Sequence, residues 1–179
     1  MSEYGIFLLV IFLGISACQP SISLKEAASS NSAIIKYDKD PSIEISPENT
    51  LPVLKSYFDA LNGGDYEEAA NIYGGDFTPL FEYNPDITQD EKAALFASTC
   101  ELNGFLCDLH IGEIMQFEKV SDLAIQFTLT LEGSDGSSFE LGPCCGEDPA
   151  SASPQYEFVY TVAWQGGRFQ VMELPVYRP

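Results

Sequence analysis

The chain has 179 residues, 45% of them hydrophobic, with twelve Phe and nine Tyr, which is enough apolar surface for one folded core of ordinary domain size. Twenty-seven acidic side chains against eight basic ones give a net charge of −19, a balance that repels the phosphate backbone of nucleic acid and excludes nucleic-acid binding as a function. The acidity is spread along the chain, as a solvated surface is, and forms no tail.

Taken in chain order, residues 5–17 are almost wholly apolar. At 1.5 Å per residue they reach only about 20 Å, short of a hydrocarbon core of about 30 Å, so the stretch matches the core of a signal peptide and not a membrane span. It ends in Ile15, Ser16, Ala17 and Cys18, which resembles the bacterial lipobox. The resemblance implies a lipoprotein signal peptide over 1–17, cleavage after Ala17, a diacylglyceryl group on the Cys18 thiol, and anchoring by lipid to the outer face of a bacterial membrane. Two acyl chains give stable attachment where one is marginal. Residues 1–17 contain one charged side chain, Glu3, so the mature chain remains strongly acidic and only lipid can hold it to a membrane surface. Residues 18–45 then read as the lipidated cysteine and a tether rich in Ser, Ala, Asn and Lys, too polar to offset its own conformational entropy.

A single α+β globular domain is expected over 46–179. Ser46 and Pro47 open a helix, with Leu51, Leu54, Tyr57, Phe58 and Leu61 on one face and Asn62, Gly63 and Gly64 as its stop. Asp65 caps a second helix running to Tyr73. A third is predicted from Thr88, where Glu91 reaches back in a capping box, through Leu95 and Phe96 to Asn103 and Gly104. Beyond Gly104 the period changes to two. Ile125, Phe127, Leu129 and Leu131 alternate with polar residues, as do Tyr156, Phe158, Tyr160, Val162 and Trp164. Gly133 to Gly136 and Gln165 to Gly167 supply turns between antiparallel strands. Three N-terminal helices followed by about five strands argue for helices packed on one face of an antiparallel sheet, not for alternating βαβ units.

The run from Tyr57 to Tyr73, YFDALNGGDYEEAANIY, resembles the opening of the nuclear transport factor 2-like superfamily, which includes ketosteroid isomerases and exported lipoproteins. The order of elements and the segment Arg168 to Pro175 are similar as well. The resemblance implies a cone, in which a curved antiparallel sheet wraps a long first helix, with a pocket at the open end. Tyr57 occupies the position whose hydroxyl, in the isomerases, donates to a developing enolate oxygen. The partner aspartate has no counterpart in register, and Glu82 is the only carboxylate in that stretch. The domain is therefore read as a non-catalytic binding module for a small molecule or a protein, without a cofactor. An isomerase or lyase using Tyr57 with Glu82 is the alternative, and Tyr57, Tyr73, His110 and Tyr160 are candidates to line the pocket. Members of the superfamily often form homodimers through the sheet.

Four cysteines remain after Cys18, namely Cys100, Cys107, Cys144 and Cys145, and they allow three pairings. In an oxidising compartment they suit a disulfide framework. Adjacent Cys144 and Cys145 would close a strained small ring, so each is expected to join one of Cys100 and Cys107, although a Cys100 to Cys107 bond stays open as the other pairing. A zinc set of Cys107, His110, Cys144 and Cys145 is the competing use, disfavoured because adjacent thiolates rarely both face one ion; no metal is expected.

Overall fold

The computed structural model describes residues 43–142 and 153–178. Its fold is α+β: helices pack against an antiparallel sheet of four strands.

Helix α1 (Pro47–Gly63) carries the expected apolar stripe, with Leu54, Tyr57, Phe58 and Leu61 buried. Its entrance differs in detail from the expectation. The Ser46 side chain makes no cap; instead the Ser46 carbonyl accepts from the Thr50 hydroxyl at 2.8 Å, so the first turn is closed from inside the helix. Ile45 already packs against the core and the Glu44 carbonyl accepts from Asn49. At the other end Gly64 takes φ 72 and its amide closes the last turn, a left-handed stop that other side chains resist. Helix α2 (Tyr66–Ile72) is capped by Asp65, whose carboxylate accepts from the Glu68 amide at 3.1 Å.

Among the described residues the helices number four, not three. A six-residue helix, α3 (Thr78–Tyr83), intervenes, and the next, α4 (Lys92–Leu102), starts four residues after Thr88. Glu91 does reach back to Thr88, but the Thr88 amide and hydroxyl both donate to its carboxylate, which closes a turn ahead of the helix. Asn84 joins the last two helices. Buried, it donates to the Leu80 carbonyl at 2.8 Å, while its side-chain oxygen accepts from Ser98 and Asn103.

Strands β2 (His110–Ser121), β3 (Ala124–Glu132), β4 (Phe158–Gln165) and β5 (Arg168–Val171) form the sheet in chain order. Two short strands, β1 (Phe105–Leu106) and β6 (Val176–Tyr177), pair separately. The expected single sheet of about five strands is thus a four-stranded sheet plus a two-stranded one, and Tyr156 lies outside β4. Ile125, Phe127, Leu129 and Leu131 are buried beneath the helices, as their period of two requires. Gly166 and Gly167, at φ 60 and 86, make the two-residue hairpin between β4 and β5, a turn that needs positive φ at both central positions. Edge strand β2 leaves Met115, Phe117 and Val120 half exposed.

Cys100, on α4, is bonded to Cys107, with Cα atoms 5.5 Å apart. This is the pairing not favoured from sequence. The C-terminus of α4 and the chain beyond β1 are brought together locally by the turn at Gly104, φ 78, so no distant partner is required. Cys107 is thereby removed from the zinc set considered above. Cys144 and Cys145 lie outside the described residues, as do Cys18, the expected signal peptide and most of the expected tether. A ring closed over a separation of 7 residues is worth about 2–3 kcal/mol in the chain-entropy model. The double variant Cys100→Ala, Cys107→Ala is expected to lose that much in urea unfolding. An unchanged midpoint would mean that α4 holds its end without the bond.

Candidate functional site

Tyr57 sits at the centre of an aromatic core. Its ring stacks on Tyr73 with centroids 6.4 Å apart and meets Phe96 edge-on at 6.3 Å, while the adjacent Phe58 packs on Tyr160 at 5.0 Å. Tyr57 has no solvent exposure, and its hydroxyl finds no hydrogen-bond partner among the described residues. Tyr73 is better satisfied, donating to the Asp76 carbonyl at 2.9 Å.

Glu173 joins this cluster and was not singled out from sequence. Its carboxylate accepts from the Thr161 amide across the end of the sheet. Burial pushes its pKa up, against that hydrogen bond, which pulls it down. Burial likewise raises the pKa of Tyr57, Tyr73 and Tyr160, and the Glu173 charge beside them adds to the effect in all three. Period-two reading does not reveal it: Gln170 and Val171 are both buried, which already breaks the alternation, and β5 ends at Val171, so Glu173 lies beyond the strand.

Among the described residues the four pocket candidates do not meet in one opening. Tyr57, Tyr73 and Tyr160 are core residues at 0%, 4% and 2% exposure, whereas His110 lies at the start of β2, its Nε2 3.1 Å from the Asn62 amide. His110 borders a small recess of about 170 Å³ with Lys55, Phe58 and Asp59. Glu82 is exposed on α3, and no cleft among the described residues holds Tyr57 and Glu82 together.

Two larger clefts open on the outside of the domain. One, of about 560 Å³, lies at the disulfide end between the close of α1, α4 and β1, and is edged by Tyr66, Glu101, Asp108 and Arg178. Tyr66 has its pKa raised, first by burial and then by Glu101. The other, of about 590 Å³, lies between the first half of α1, α2 and the β4–β5 hairpin. Here Trp164 and Phe169 are cross-strand partners packed edge to face, centroids 5.0 Å apart. No protein-family model matches the chain, and no curated protein matches it. What either cleft does must therefore be argued from its own residues.

Proposed function

We propose that the chain is an exported lipoprotein, held to the outer face of a bacterial membrane through lipid on Cys18, and that its α+β domain is a nuclear transport factor 2-like cone serving as a non-catalytic binding module. The observation that carries the non-catalytic part is the state of Tyr57. In the resembling isomerases the equivalent hydroxyl faces a substrate; here it is sealed among Tyr73, Phe96 and Phe58, with Glu82 at an exposed position of α3. A catalytic tyrosine must touch the reacting atom, and this one touches packed rings. The clefts that remain open are on the exterior, where a ligand can dock without entering the core.

The anchoring part is tested by expressing the full chain in a bacterium fed an alkyne-tagged fatty acid. Wild type is expected to take the tag, to fractionate with membranes and to have a mature mass beginning at Cys18 with a lipid adduct. Cys18→Ser is expected to lose tag and cleavage together. Recovery of untagged wild-type chain with residues 1–17 still attached would overturn the reading.

A further inference from the structure

We propose that the cleft between α1, α2 and the β4–β5 hairpin binds a compact zwitterionic amphiphile: a molecule with one ammonium group, one carboxylate and an apolar body, the class of apolar amino acids and short peptides. The inference rests on reading the domain as a binding module, and is independent of the lipid anchor.

The charges come first. Arg168 and Glu68 border the same cleft, both exposed, yet they do not pair; Lys119 with Asp122 is the ion pair found among the described residues. Among the described residues, a guanidinium and a carboxylate thus stand without an ion-pair partner at one opening, ready for groups of opposite sign. Arginine suits a carboxylate because its planar fork can donate two parallel hydrogen bonds. The chain's net charge of −19 works against capture of a simple anion. A zwitterion escapes that repulsion, since its ammonium can face Glu68 while its carboxylate faces Arg168.

The walls set the rest of the ligand. Trp164 and Phe169, half buried, offer aromatic surface, and Val53 and Ile72 extend it. An apolar body laid there gains contact area and shields the two charged contacts from water. A cleft of about 590 Å³ lies within the range of roughly 300–1,000 Å³ usual for small-molecule sites.

Trp164 is the only tryptophan of the chain, so its fluorescence reports on this cleft alone. The full chain is titrated with the dipeptide leucyl-phenylalanine, with phenylpropionate, which lacks the ammonium, and with phenethylamine, which lacks the carboxylate. The dipeptide is expected to shift the emission saturably, and each singly charged probe to bind at least about tenfold more weakly. Arg168→Gln and Glu68→Gln, both on exposed positions, should each weaken the dipeptide by about tenfold or more at unchanged melting temperature. Emission indifferent to the dipeptide, or phenethylamine binding as tightly as it does, overturns the proposal. Backbone amide spectra and recovery of the dipeptide separate the two readings. Shifts clustered at the Cys100–Cys107 end would remove this site and leave a binding module. A dipeptide recovered chemically altered, with the Trp164 response intact, would leave the site and remove the non-catalytic reading.

Discussion

Replacing Tyr57 by Phe is expected to leave the domain as stable as wild type or to stabilise it by about 1 kcal/mol, whereas Tyr57→Ala should cost about 3–5 kcal/mol. The contrast follows from what the residue does. Its ring is fully buried and touches Phe58, Tyr73 and Phe96, so truncation removes transfer free energy and opens a cavity in the core. Its hydroxyl, by contrast, is desolvated without a partner, and an unmade hydrogen bond of that kind opposes folding. Phenylalanine keeps the first contribution and discards the second. Urea denaturation of the three proteins gives both numbers. A Tyr57→Phe variant that loses more than about 1 kcal/mol would show that the hydroxyl has a partner in solution, such as an internal water, and would reopen the possibility that it meets a ligand.

The helical part of this architecture was readable because its signals are local. Leu54, Tyr57, Phe58 and Leu61 keep the helical period, Asp65 sits where a cap must sit, and the pair Gly166 and Gly167 specifies its own turn. The same holds for β3, buried on one face along its length. Elements whose reason to exist lies elsewhere in the chain were not readable. Strands β1 and β6 are two residues each, too short to show any period, and exist because Phe105 meets Tyr177 across 72 positions. Helix α3 has no side-chain cap, and is tied down by Asn84 bonding to Ser98 and Asn103 on or beside α4. In β2 three register shifts break the alternation that would have announced it. The cysteine pairing went the other way for the same reason: spacing cannot tell that Cys100 and Cys107 face each other. So too with the cleft at the hairpin. The turn was evident, but that it sets Trp164 beside Phe169, and brings Arg168 to the same cleft as Glu68 of α2, depends on how the hairpin lies against the helices.

The second large effect lies in alkaline solution. Burial, reinforced by the charge of Glu173, raises the pKa of Tyr57, Tyr73 and Tyr160 in the folded state above the ordinary value of about 10. The unfolded chain then releases protons that the folded chain retains, so the unfolded state binds fewer protons and stability must fall as pH rises. The contribution is fully present below the unfolded tyrosine pKa and is lost upward from about pH 10. Each tyrosine adds a slope of about 1.4 kcal/mol per pH unit, and three acting together reach about 4 kcal/mol per unit. Against an ordinary domain stability of about 5–15 kcal/mol, that unfolds the protein within a few pH units. Ionisation of these three phenols, followed by tyrosinate absorbance, should therefore appear in one cooperative step with the loss of circular dichroism. Tyr57→Phe should reduce the slope by about one third while leaving neutral-pH stability intact, which links this measurement to the first. Tyrosinate formation from all the phenols in one gradual wave, with the fold undisturbed, would mean that the aromatic core admits water and hydroxide, and the sealed interior on which the non-catalytic reading depends would have to be given up.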